Sequence, residues 1–155
     1  MRRSVKVLAL FAALALTAGS AQAQLASASH NVTITVTSID DISVSGDLTM
    51  TINSITLSST ASATYDVTTN GALRKITAAL DANYSLGLAL SATVAAPSGS
   101  GVSTGPVLLT TVTQDVVTGI STVSESGLAI DYTATATPAV GPISETRQVT
   151  YTITT

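Results

Sequence analysis

The stretch Gly127–Thr155, GLAIDYTATATPAVGPISETRQVTYTITT, contains two alternating runs. Leu128, Ile130, Tyr132, Ala134 and Ala136 alternate with Ala129, Asp131, Thr133, Thr135 and Thr137. A connection with Pro138, Gly141 and Pro142 follows, and then Val149, Tyr151 and Ile153 alternate with Thr150, Thr152 and Thr154. Period two places one set of side chains on each face of a pleated sheet. Threonine is β-branched and suits the solvent face of a strand. The apolar sets are therefore expected in a core, with the last residues of the chain tied into a sheet.

The same period recurs upstream. Leu86, Leu88, Leu90, Ala92 and Val94 make the longest apolar stripe, and small residues between them predict a central strand. Ala63, Tyr65 and Val67 form another strand, Asn70-Gly71 offers the two positive φ angles of a tight hairpin, and Ile76, Ala78 and Leu80 make the return strand. The string LRKITAAL, residues 73–80, has the composition of a helix, but it is short and has no cap before it, so a strand is preferred. Val107–Thr113 reads as a strand, and Val116–Ser124 as a less regular one interrupted by Gly119.

Nearer the start, Val32, Ile34 and Val36 alternate with Thr33, Thr35 and Thr37, which predicts a first strand over Asn31–Thr37. Ile42 and Val44 lead to a turn at Ser45-Gly46-Asp47, and Leu48, Met50 and Ile52 continue in phase. Ile55 and Leu57 then fall out of phase, so a bulge or bend is expected at Asn53-Ser54. Ala96–Pro106 is a Pro/Gly/Ser loop, the longest of the chain and the one expected to be most mobile. Eight or nine strands spaced by turn signals predict an all-β fold, an antiparallel β-sandwich of immunoglobulin-like or jelly-roll-like kind.

The 155 residues suit one domain, over 31–155, after a short tail at 24–30. Arg2, Arg3 and Lys6, the apolar run Val7–Leu16 and the small-x-small site Ala21-Gln22-Ala23 predict a cleaved signal peptide over 1–23. The expected location is secreted, at the cell surface or in the periplasm, with no membrane anchor in the mature chain. The absence of cysteine excludes both a disulfide framework and a lipidated anchor.

Cleavage would leave three basic residues, Arg74, Lys75 and Arg147, against nine acidic ones, a balance of −6. Such a chain has no electrostatic footprint for nucleic acid or anionic lipid. Ser and Thr make up about a third of it, well above ordinary usage. Val, Ile and Leu recur in phase with the Thr, a pattern that disorder does not require.

Parts for catalysis are few. The one histidine, His30, stands at the junction of tail and first strand, where a triad could not hold it rigidly. One His and no Cys argue against transition-metal sites. Asp40, Asp41 and Asp47 flank a turn and could offer oxygens to calcium, or could simply guard a sheet edge with charge. Asp115, Glu125, Asp131 and Glu145 are dispersed. Four Tyr and no Trp lower both sugar-cleaving and sugar-binding readings. Sequons at Asn31 and Asn83 matter only in a glycosylating host. Gly99, Gly101 and Gly105 precede no helix start and so do not make a phosphate loop. No enzyme activity, cofactor or metal is expected.

The leader, the cysteine-free Ser/Thr-rich chain and the ending DYTATAT…RQVTYTITT resemble small secreted bacterial β-sandwich proteins of the immunoglobulin-like, spore-coat-like or pilin-like kind. The resemblance covers most of Asn31–Thr155 and departs from the pilins that carry a disulfide. It brings no residue roles with it.

Two functions fit. The leading one is a non-catalytic structural subunit of a surface fibre, coat or matrix. Its first strand would add to a neighbour's sheet edge with Val32, Ile34 and Val36 as the inserted side chains. The competing fate of that strand is pairing within its own domain. The alternative function is a monomeric, adhesin-like binding module for a glycan or surface partner. It would use the Ala96–Pro106 loop and the Asn70-Gly71 turn with Arg74 and Lys75.

Overall fold

A computed structural model describes residues 26–53 and 55–155. The signal peptide expected over 1–23 and its cleavage site lie outside the described residues, as does Ser54 of the expected bulge. The chain divides into two units, Met1–Thr35 and Val36–Thr155. Of the first, residues 26–35 are described; they carry no regular secondary structure and are exposed.

The second unit is all-β. Its strands are β1 (Asp40–Val44), β2 (Ser58–Thr69), β3 (Arg74–Leu80), β4 (Leu88–Val94), β5 (Val102–Ser103), β6 (Val107–Leu108), β7 (Gln114–Ile120), β8 (Val123–Ala136) and β9 (Val149–Thr154). They build a five-stranded sheet, β1-β2-β8-β4-β6, and a four-stranded sheet, β5-β7-β3-β9, with every pairing antiparallel. This is the expected antiparallel β-sandwich. From β2 onward, each strand lies in the opposite sheet from the one before it.

The run that decides the fold becomes β8 and β9. β8 is the longest strand and the middle one of its sheet. Leu128, Ile130 and Tyr132 are buried while Ala129, Asp131 and Thr133 are exposed, as the alternation requires. They meet Tyr65 and Val67 of β2, Ala92 and Val94 of β4, Ile76 and Ala78 of β3, and Val116, Val117 and Ile120 of β7 in one core. Apart from Leu73, LRKITAAL is a strand, with Ile76, Thr77 and Ala78 all buried in one of the two interior strands of the smaller sheet.

Glycine makes a local irregularity possible in the central pair. The β2–β8 register slips between Tyr65 and Val67, so that Asp66 stands opposite an extra residue. Gly127 takes φ +73° there, and its N–H donates to Asp66 Oδ1 at 2.8 Å. A left-handed glycine within a bulge relieves the steric cost that a side chain would impose. Gly119, also at positive φ, falls in β7, where Val116 and Val117 are both buried and the register with β3 shifts. That explains the irregular look of Val116–Ser124.

Several expectations are corrected. Asn70-Gly71 is not a hairpin turn, because β2 and β3 lie in different sheets. Within that turn the positive φ falls on Leu73, at 55°. The strand expected over 86–94 begins at Leu88 and Leu86 is fully exposed, although β4 is an interior strand as expected, between β8 and β6. Val107–Thr113 shrinks to two residues in β6, and a two-residue strand, β5, forms inside the 96–106 loop.

Leu48, Met50 and Ile52 lie in no strand, although Met50 packs against the core. Of the bulge or bend expected after Ile52, the bend is what forms: Asn53 Oδ1 accepts from the N–H groups of Ile55 and Thr56 at 2.9 and 2.8 Å. Asn31–Thr37 is also not a strand here. Alternation makes a segment fit for a sheet, but a strand exists only when an edge pairs with it.

Candidate functional site

The sandwich has four edges, and they differ. β5 and β6 are two residues each, beside Gly101 and Gly105-Pro106. β1 is five residues long and carries Asp40 and Asp41. β9 is six residues long, Val-Thr-Tyr-Thr-Ile-Thr, with neither charge nor proline. Its inner side pairs with β3, Ile153 opposite Ile76, Tyr151 opposite Ala78 and Val149 opposite Leu80. The β3 members of these pairs are buried, whereas the β9 members are only half-buried. No described strand pairs with the outer side of β9.

At one end of the sandwich, Asn70 holds the chain that leads into β1. Its side-chain Oδ1 accepts from Ile39 N–H at 2.9 Å, its Nδ2 donates to Thr37 O at 2.8 Å, and its backbone N–H donates to Ile39 O at 3.2 Å. Asp40 next to it pairs with Arg74 Nη2 at 2.9 Å and accepts from the Thr69 hydroxyl at 2.6 Å. The Thr69 bond, followed by Arg74, lowers the Asp40 carboxyl below its ordinary pKa, against the opposing effect of desolvation. Arg74 reaches Asp40 by crossing Gly71, where a Cβ would stand 2.5 Å from its Nε.

Several of the residues expected to contact ligands are engaged elsewhere. Asp40 is committed to Arg74 and Thr69, Asp41 points to the opposite face of β1, and no metal-sized group of three His, Asp or Glu exists among the described residues. Lys75 pairs with Asp115 at 3.3 Å, so Arg74 and Lys75 are not a free cationic patch.

The Ala96–Pro106 loop is tied down. Ser98 N–H and Oγ both donate to the Glu125 carboxylate, at 2.7 and 2.9 Å, and Ser100 exchanges bonds with Ser121 through its hydroxyl. Thr104 Oγ1 donates to Asp115 O at 3.0 Å. His30 is exposed within the unstructured 26–35 segment.

The other end of the sandwich carries a small cleft of about 160 Å³, lined by Asn83, Tyr84, Leu90, Leu108, Leu109 and Thr110 among others. Beside it Arg147 lies over the Tyr84 ring, 5.4 Å from its centre, and pairs with Glu145. The Glu145 side chain is 9% exposed, and its Oε1 has no partner among the described residues. Its charged form is favoured by hydrogen bonding from Ser85 and then by Arg147. One ion pair beside an apolar cleft supplies neither a nucleophile nor a paired base.

Val32, Ile34 and Val36 are 72, 85 and 79% exposed. Neither the Asn70 anchor nor the open side of β9 was read from the sequence. The Asn70-Gly71 pair carried a turn signal that masked the asparagine's other use. The uncharged composition of Val149–Thr154 was visible, but edge position depends on long-range pairing. Comparison with protein-family models, with curated proteins and with solved structures finds no match to this chain.

Proposed function

We propose that this chain is a secreted, non-catalytic structural protein, a subunit of a surface fibre, coat or matrix. It self-associates by adding Asn31–Thr37 to the sheet edge of a neighbouring copy. The observation behind this reading is the state of that segment: three β-branched apolar residues at period two, largely exposed and without a strand partner among the described residues. Leaving such residues in water is unfavourable by roughly 25 cal/mol per Å² of apolar surface. Addition to an edge would cover them and satisfy their backbone groups together.

The reading as a monomeric binding module draws less support. Its candidate cations are already ion-paired, and its candidate loop is held by Glu125 and Ser121.

The test is the oligomeric state of the mature chain and of its Ile34→Asp variant, by size-exclusion chromatography and unboiled electrophoresis. Ile34 is exposed in the single chain, so the domain should fold in both. Oligomers in the parent that are lost in the variant are expected. Identical assemblies in both would sink the reading.

A further inference from the structure

We infer that the outer side of β9 is the edge that receives Asn31–Thr37 of a second copy. This inference rests on the self-association reading above and adds the acceptor to it.

Natural sheets blunt exposed edges with short strands, charge, proline or bulges, because unpaired N–H and C=O groups invite another strand. Three of the four edges follow that rule. β5 and β6 are too short to template a partner, and β1 carries two aspartates. β9 does not: it offers six regular, uncharged residues. The side-chain layer is unfinished there too. Ile76, Ala78 and Leu80 are 0, 0 and 5% exposed, while their cross-strand partners Ile153, Tyr151 and Val149 remain half-open. Along β9 the edge strand β1 of the other sheet comes close without pairing to it, and the outer N–H and C=O groups of β9 are left to one more strand with apolar residues at period two.

Asn31–Thr37 has that form. Its Val-Thr-Ile-Thr-Val-Thr repeats the Val-Thr-Tyr-Thr-Ile-Thr of β9 at the same period, without charge and at nearly the same length. With Val32, Ile34 and Val36 turned to the core, Thr33, Thr35 and Thr37 would continue the outer row of Thr150 and Thr152. In the single chain, segment and edge both stay without a strand partner among the described residues, so the occupant is taken from another copy.

The chain has no cysteine, so introduced thiols report without background. Thr33→Cys and Thr35→Cys would each be made in one tagged mature chain. Thr150→Cys, Thr152→Cys and, on the β1 edge, Ser43→Cys would each be made in another; all five positions are exposed. Pairs are mixed, assembled and mildly oxidised, with circular dichroism checking each fold.

Disulfide-linked heterodimers with Thr150→Cys or Thr152→Cys, and not with Ser43→Cys, are expected. Cross-links to Ser43→Cys, or assembled chains that link to neither edge, would overturn β9 as the acceptor while leaving strand addition intact. Failure of the parent chain to assemble at all would overturn both.

Discussion

The Asn70 side chain pairs with Ile39 as a neighbouring strand would. Oδ1 accepts the Ile39 N–H at 2.9 Å while the Asn70 N–H returns a bond to Ile39 O at 3.2 Å. Together with the bond to Thr37 O, this fixes the point from which the exposed N-terminal segment departs. Replacing Asn70 with Ala removes the two side-chain bonds from a solvent-exposed site, where each is worth about 1 kcal/mol. The expected outcome is a folded Asn70→Ala protein whose Ile39 amide exchanges markedly faster, with protection in β3 and β8 unchanged. Equal Ile39 exchange in parent and variant would show that Asn70 anchors nothing.

Two glycines separate backbone strain from collision. Gly127 sits at φ +73° with nothing within 4 Å of an added Cβ, so Gly127→Ala meets only the left-handed penalty, about 1–2 kcal/mol. Gly87 sits at φ +92°, and its Cβ would lie 2.6 Å from Thr137 Oγ1 and 2.7 Å from Val140 Cγ2. Gly87→Ala should therefore be the more destabilising of the two in urea unfolding. The reverse order would mean that the 137–140 turn yields without cost.

Tyr65 is 1% exposed, and its hydroxyl donates to Ala95 O at 2.5 Å. Tyr65→Phe keeps the ring and leaves that carbonyl without its side-chain partner, so a loss near 1 kcal/mol is expected, far below the ~3–5 kcal/mol of Tyr65→Ala. Burial, helped by the Glu125 charge, raises the phenol above its ordinary 10.0. The fold thus favours the neutral form. That stabilisation is present below pH 10 and lost as pH rises through the folded value. Thermal melts should show the alkaline loss reduced in Tyr65→Phe.

Acid acts in the opposite sense. Asp40 and Glu145 are held below their ordinary values of 3.8 and 4.5, Asp40 chiefly by Thr69 and Glu145 chiefly by Ser85. Their folded pKa values lie below the unfolded ones. Their contribution is therefore complete above pH 4.5 and lost as pH falls through the folded values. The melting temperature should be flat near neutrality and drop below about pH 4, and Asp40→Asn should shallow that drop. An unchanged acid slope in Asp40→Asn would remove Asp40 as a contributor.

Much of the fold was legible in the chain because alternation is a local signal. The buried set Leu128, Ile130 and Tyr132, the half-buried set Val149, Tyr151 and Ile153, and the strand nature of LRKITAAL all follow from side chains that must choose a face. The misreadings have one cause. Asn70-Gly71, Leu48–Ile52 and Asn31–Thr37 carry hairpin or strand signals, yet whether such a segment forms a ladder depends on a partner distant in sequence.

The sequence by itself determined that this is a cysteine-free β-sandwich with a core of small and aliphatic side chains joined by tyrosines, and Thr-rich outer faces, since composition and period are properties of the chain. Tertiary structure alone decided which strands became edges, that Asp40 and Arg74 met across 34 positions, and that β9 paired with a described strand on one side only. Those facts come from sheet order, and sheet order is set by the packing of strands far apart in sequence into one core.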